Sequence, residues 1–444
     1  MNFIEQLATR RRFGMKPGLD TMKTLAEALG HPEEGLAAIH IAGTNGKGSV
    51  AALCESVLRA AGYGVGRYTS PHLVCINERF LVRGRPATDE MLERAAAEVD
   101  VAIAHIGTAS EITYFEYLTA MMFVLFRNEG IRLAVIETGL GGRLDATNII
   151  TPLVSVITRI GMDHCDWLGD TVEKIASEKA GIIKPNRPVV CGAMPEEARN
   201  VIQEVASKHH SLFMNTRESV TVVSTKKRLN GQSIKIETPE LTLPPIHLPL
   251  AGEFQLENVS TAVATLQVLS QALTIPETAY KTGLESVSWP GRFQLVQEEP
   301  PVIVDGAHNP DGADALVATL KSLVKKQPIA FIAGFCGDKD IAAYLHRIAL
   351  LATCAFAVPV RNPRTLTPGQ TLGQMTIAGL RDARDCASLE EALTRATTWA
   401  KNNNGVVVIC GSLFLAGEAL QLFKALPSQT NNRVDLAEQL KQSQ

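Results

Sequence analysis

Apolar residues fall in short runs separated by longer stretches of mixed polarity, and the runs at 36–42, 133–137, 153–157 and 188–191 are continuous rather than alternating. Runs of that kind predict strands buried on both faces, with helices between them, as in a parallel sheet covered on each side. From 219 to 250 the texture changes to alternation, and Asn230-Gly231 is a hairpin signal, so an antiparallel addition to the first domain is expected there. A helix over 257–272 returns the chain to that domain. The helical pattern then breaks on Pro290 and Gly291, and a second strand-and-helix series follows with runs at 302–304, 329–333, 355–360 and 406–410. The pattern predicts an α/β protein with a larger N-terminal domain over 1–288, a linker at 289–295 and a smaller C-terminal domain over 296–444.

Composition narrows the class. At 444 residues the chain exceeds one ordinary core, and 45% apolar with 20% charged residues is a globular balance. A net charge of −3 without a basic run argues against nucleic acid or a membrane surface as partner; Arg10-Arg11-Arg12 comes nearest and reads more readily as a solvated face. Eight cysteines are scattered without C-x-x-C or zinc-finger spacing, so structural zinc and a disulfide scaffold are both unsupported and a reducing cytosol fits. The start Met1-Asn2-Phe3-Ile4-Glu5 lacks a basic segment followed by an apolar core, and no stretch is long enough to span a membrane, so a cytoplasmic protein is the simplest expectation. The tail after Pro427, rich in Gln, Asn and Ser, reads as poorly ordered.

The first strand carries the most specific chemistry. In Ile39-His40-Ile41-Ala42-Gly43-Thr44-Asn45-Gly46-Lys47-Gly48-Ser49-Val50 an apolar run ends in a glycine-rich turn with one lysine and then enters a helical pattern. Glycines let successive backbone N–H groups converge on anionic oxygens, the ammonium neutralises them, and the helix start adds its positive dipole end. The spacing departs from G-x-x-x-x-G-K-[ST] twice: Ile41 replaces the first glycine, and Gly48 separates Lys47 from Ser49. Lysine, serine and a strand-to-helix setting together favour nucleotide binding over a merely structural turn. The fold expectation becomes a phosphate-loop NTPase-like, mostly parallel sheet with an added antiparallel segment, followed by a Rossmann-like domain.

Other strand ends carry polar groups, which is where open α/β sheets bind ligands. Glu137, leaving a strand before Thr138-Gly139-Leu140-Gly141-Gly142, is placed either to hold Mg²⁺ or to cap a turn. Arg143 and Asp145 in the same loop fit a surface ion pair or a substrate contact equally. His164, in T-R-I-G-M-D-H at 158–164, reads on spacing alone as a structural histidine, and the lysines of S-E-K-A-G-I-I-K-P at 177–185 as helix C-terminal charges. Asp305 and His308, in D-G-A-H-N-P at 305–310, fit a ribose or phosphate contact or an Asx turn. Ser70, in T-S-P-H at 69–72, fits ordinary turn chemistry.

Together, G-T-N-G-K-G-S at 43–49, T-S-P-H at 69–72, E-T-G-L-G-G-R-L-D-A-T-N at 137–148, D-H at 163–164, S-E-K-A-G-I-I-K-P at 177–185 and D-G-A-H-N-P at 305–310 resemble the folylpolyglutamate synthase and dihydrofolate synthase branch of the Mur ligase superfamily. The resemblance covers most of the chain. It implies that Gly46, Lys47, Gly48 and Ser49 hold the ATP phosphates and that Ser70, Glu137 and His164 support two Mg²⁺ ions. Lys179 matches a lysine that the family carbamylates. Asn258, Arg292 and Asp305 match ATP contacts, which would clamp the nucleotide between domains, and His308 joins Lys47 and Lys179 as a catalytic candidate. For the pterin, the match points to Thr113, Tyr114, Phe115 and Glu116 and to Leu144, Asp145 and Ala146; an aromatic pair beside carboxylates also suits a flat heterocycle with ring N–H donors.

The implied activity is ATP-dependent ligation of L-glutamate to dihydropteroate, to tetrahydrofolate and its polyglutamates, or to both, through an acyl phosphate. A folylpolyglutamate synthase without the dihydropteroate step and a cell-wall ligase of the same superfamily are the alternatives. A monomer is expected, since a two-domain clamp needs no second chain.

Overall fold

The computed structural model describes residues 18–107, 112–337 and 340–423; Arg10 to Arg12 and the tail after Pro427 lie outside them. The first apolar run becomes β1 (Ala37–Ala42), buried at every position after the first. Around it lie β2 (Val65–Tyr68), β3 (Phe80–Val82), β4 (Arg85–Pro86), β5 (Leu133–Glu137), β6 (Val154–Ile157), β7 (Val189–Cys191) and β8 (Phe213–Asn215). Their order is β4-β3-β2-β5-β1-β6-β7-β8. All neighbours from β2 to β8 pair in parallel, while β3 runs antiparallel to both β2 and β4.

Register positions the candidate site. Ile41 lies opposite Glu137 on one side of β1, and Ala42 lies opposite Ile157 on the other. The loops that follow β1, β5 and β6 therefore leave the same edge of the sheet side by side. Tyr68, Phe80, Tyr117, Phe123, Phe126 and Ile136 fill one apolar cluster below them. Ile157, Ile175, Ile182, Val189 and Ile202 fill another.

The alternating segment forms a three-stranded sheet of β9 (Thr221–Arg228), β10 (Gly231–Glu237) and β11 (Thr242–Leu248), turning at Leu229 and Asn230 where the sequence signalled a hairpin. The helix expected over 257–272 spans Phe254–Leu269. A six-stranded sheet contains β12 (Gln294–Gln297), β13 (Val302–Val304), β14 (Ile329–Ala333), β15 (Ala352–Ala357), β16 (Ala383–Asp385) and β17 (Val406–Cys410), ordered β12-β13-β17-β14-β15-β16. Only β12 is antiparallel to its neighbour. The run expected at 355–360 is shifted because Val358 and Val360 are buried beyond the strand end, so apolar character continues after the pairing stops.

The chain divides into two compact units. One holds the described residues through Val223 with Lys235–Ile246 and Leu256–Val287; the other holds Ser224–Ile234, His247–Gln255 and the described residues from Ser288 on. The architecture is the α/β class expected from the pattern, with a mostly parallel first sheet, added antiparallel strands and a separate second sheet. No described helix is long and apolar enough to cross a membrane.

Candidate active site

After β1 the chain turns through 43–46 into the helix Lys47–Ala60. Gly46 caps that helix at φ 90°, and a Cβ there would lie 2.4 Å from Asn258 Oδ1, so the turn needs glycine for both conformation and space. The loop is tied to the strand end beside it. Thr44 N–H donates to Arg159 O at 2.8 Å, Thr158 Oγ1 donates to Asn45 O at 2.8 Å, and the Thr44 hydroxyl donates to Gly161 O at 3.0 Å. Ser49 is buried in the first helical turn, whose N–H groups and positive dipole end suit an anion. A strand-end threonine such as Thr158 gives no signal in the sequence of the bond it makes here.

Two lysines meet behind this turn. Lys47 Nζ donates to Gly43 O at 3.0 Å and to Thr44 O at 3.3 Å, and Lys179 Nζ donates to the same Gly43 O at 2.9 Å. Lys179 lies in the last turn of the helix Val172–Ala180 and is only 3% exposed, unlike a solvated helix-end charge. Burial, then the nearby Lys47 ammonium, pulls its pKa down to about 7 against the pull of Asp163 and Asp145. A substantial fraction of Lys179 is then the neutral amine at neutral pH.

Glu137, buried at the end of β5, has one carboxylate oxygen 4.0 Å from Lys47 Nζ and accepts a 3.2 Å bond from Ser70 N–H on the other. The structure thus brings Lys47, Glu137 and Ser70 together. His164 sits in the left-handed region at φ 53°, with its Nε2 3.8 Å from Asp163 Oδ1 and its side chain 41% exposed. Among the described residues no three His, Cys, Asp or Glu side chains converge as a ready-made metal cluster. The candidate set has one carboxylate, one hydroxyl and one imidazole.

Thr113 and Glu116 close a capping box on the helix Tyr114–Asn128: Glu116 N–H donates to Thr113 Oγ1 at 3.2 Å, and Thr113 N–H donates to Glu116 Oε2 at 2.8 Å. The cap uses one oxygen of Glu116 and the acceptor side of the Thr113 hydroxyl, so both can still meet a ligand, and Tyr114 and Phe115 lie half-buried at the same helix start. Arg79 lies over the Tyr114 ring, 5.8 Å from its centroid, and its Nε–H donates to His72 Nδ1 at 2.9 Å. The Phe115 ring packs on Gly139, where a Cβ would approach to 2.5 Å. Leu144 is half-buried; Asp145 and Ala146 are buried. Arg143 pairs with Glu178 at 2.8 Å. Arg79 has no motif or period to announce it and was missed.

In the second unit, Asp305 accepts 2.7 Å bonds from Phe293 N–H and from Ala307 N–H, the latter closing an Asx turn. Burial raises its pKa although Arg292 opposes the shift. Arg292 Nη1 donates to Gly291 O at 3.0 Å, and His308 Nδ1 lies 2.8 Å from Gly306 O, which fixes the Nδ1–H form there. Asn309 caps the helix Pro310–Leu323 through a 2.8 Å bond from Gly312 N–H. Asn258 belongs to the first unit, beside Gly46.

Two family models match this chain: the Mur ligase middle domain over residues 41–266 and the Mur ligase glutamate ligase domain over 291–413. The dihydrofolate synthase/folylpolyglutamate synthase of Bacillus subtilis is 34% identical, across 94% of this chain and 97% of its own. The Escherichia coli protein of the same name is 34% identical, across 96% and 95%. Among solved structures, Escherichia coli FolC in complex with DHPP and ADP superposes with a TM-score of 0.86 at 33% identity, covering 96% of this chain and 99% of its own. Mycobacterium tuberculosis folylpolyglutamate synthase complexed with ADP and AMPPCP gives a TM-score of 0.86 at 30% identity, with 93% and 96% covered. The chain belongs to the Mur ligase family, in the branch of the dihydrofolate synthases and folylpolyglutamate synthases, and is an ATP-dependent ligase.

Proposed function

We infer that the chain joins L-glutamate to a pterin carboxylate, accepting both dihydropteroate and tetrahydrofolate or its polyglutamates. The observation that carries this reading is the convergence of Lys47, Glu137 and Lys179 around a glycine turn at a helix start, in a family whose relatives bear both synthase names. A carboxylate resists an amine because oxide is a poor leaving group. Transfer of the ATP γ-phosphoryl to one carboxylate oxygen releases ADP and gives an acyl phosphate. The glutamate amine then adds to the acyl carbon, phosphate leaves with that oxygen, and an amide remains.

The residues divide the work by their chemistry. Gly46, Gly48 and Ser49 present backbone N–H groups to the phosphates, and the Lys47 ammonium neutralises charge on the transferred group. Asn258, Arg292 and Asp305 are proposed to bind the nucleotide, with His308 as a further catalytic candidate. Thr113, Tyr114, Phe115 and Glu116 and the loop Leu144 to Ala146 are proposed to receive the pterin, with Thr113 and Glu116 also capping the helix start that presents the two rings.

The donor set fits Mg²⁺: Glu137 is a buried carboxylate bonded to the Ser70 N–H and near the Lys47 turn, Ser70 and His164 would add a hydroxyl and an imidazole, and oxygen ligands shared with phosphates are what the ion prefers. When bound, Mg²⁺ supplies charge neutralisation on the phosphoryl oxygens at two sites. Lys179 is proposed to be carbamylated, and its lowered pKa supports this because only the neutral amine adds to CO₂, forming an N–C bond and releasing one proton. A single chain is proposed as the working unit.

The test is ADP release with Mg²⁺ and glutamate, comparing dihydropteroate, tetrahydrofolate, a nucleotide-sugar peptide and no acceptor, with products weighed. Turnover with both pterins and a gain of one glutamate supports the reading. Activity with tetrahydrofolate alone restricts it to polyglutamylation, and activity with the peptide alone overturns it.

A further inference from the structure

We propose that His40 and Thr147 are positioning residues that hold the pterin-side loop through the Asp145 carboxylate. Asp145 is 5% exposed and accepts four hydrogen bonds from its own chain. Oδ1 takes Thr147 N–H at 3.1 Å and the Thr147 hydroxyl at 2.5 Å; Oδ2 takes Gly139 N–H at 2.8 Å and Leu140 N–H at 2.9 Å. A carboxylate with both oxygens occupied in this way is a scaffold for a turn. Here the turn is the one on which the Phe115 ring rests, immediately after Glu137.

The proton count fixes the rest of the chain of bonds. Threonine carries one hydroxyl proton, and the carboxylate can only accept it, so the Thr147 hydroxyl donates to Asp145. The 2.8 Å contact between His40 Nε2 and Thr147 Oγ1 must then be a donation from Nε2–H. That tautomer leaves Nδ1 as a bare acceptor, and among the described residues the buried His40 Nδ1 has no hydrogen-bond partner. The ring is fully buried in β1, and burial lowers its pKa to about 3, so it stays neutral at working pH. An aliphatic residue would fill this strand position without stranding an acceptor. The histidine therefore contributes its one donor, which runs from the strand leading into the phosphate turn to the loop leaving β5.

The kinetic consequence rests on the ligase reading; the structural one does not. Thr147→Val keeps the shape and removes the hydroxyl, whereas Thr147→Ser keeps the donor. Amide exchange at Gly139 and Leu140 is expected to quicken about tenfold in Thr147→Val, the worth of one hydrogen bond, and to return toward wild type in Thr147→Ser. In the ligase assay the same change is expected to raise KM for the pterin with KM for ATP unchanged. His40→Gln, which can still present an N–H, should resemble wild type more than His40→Leu, and this pair decides the matter if Thr147→Val does not fold. Unaltered protection of Gly139 and Leu140 in Thr147→Val or His40→Leu, or no recovery in Thr147→Ser, would overturn the proposal. Wild-type protein without pterin-dependent turnover would instead sink the ligase reading and leave the exchange result to stand by itself.

Discussion

Two ammonium groups share one carbonyl oxygen at Gly43, and this shapes what each lysine does. Lys47 is half-buried where Lys179 is buried, and its Nζ is bonded to the carbonyls of the turn proposed to hold the phosphates. Removing it relieves repulsion on Lys179, so Lys47→Ala is expected to lose turnover by about a hundredfold or more while the melting temperature barely changes. Equal loss of stability and activity would contradict that role. Lys179 binds fewer protons folded than unfolded between pH 7 and its ordinary value of 10.5. Stability should therefore rise with pH across that window, by at most about 1.4 kcal/mol per unit, and the burial penalty is fully present below pH 7. Thermal melts of Lys179→Met should lack this slope, and labelled CO₂ should give a carbamate signal in wild type that the variant lacks.

At the scale of elements, the helix start at Thr113 shows what a sequence can and cannot disclose. The spacing of Thr113 and Glu116 is a capping signature, and the family resemblance also assigns both to the pterin; the hydrogen bonds show the cap, and the pterin role stays a proposal. Thr113→Ala is expected to cost about 1 kcal/mol in denaturant unfolding and to raise the pterin KM through Tyr114 and Phe115. Full retention of the pterin KM would separate the cap from the binding face. The central strands were legible because burial on both faces leaves continuous apolar runs: β5, β13, β14 and β17 coincide with theirs. Edge strands such as β4, with Arg85 and Pro86, and β16, with Arg384 and Asp385, carry no such run and were missed. The phosphate turn was legible because glycine and lysine spacing is local. The Arg79 contacts with His72 and Tyr114 and the chain from His40 to Asp145 were not, because they join residues distant in sequence whose types have other everyday uses.

For the whole molecule, the two matched domains cover both compact units, and relatives align over nearly the full chain, so the assignment does not rest on one turn. A nucleotide that binds only the folded state must stabilise it. ATP with Mg²⁺ at a hundred times its Kd is expected to add about 2.7 kcal/mol to the stability of wild type and much less to Lys47→Ala. The central claim is that the acceptor carboxylate is phosphorylated before the amine adds. It is tested most directly by supplying dihydropteroate or tetrahydrofolate with ¹⁸O in the reacting carboxylate and weighing the phosphate released during ligation. One ¹⁸O in each phosphate, with the other retained in the amide, is the result this account predicts; unlabelled phosphate would contradict it.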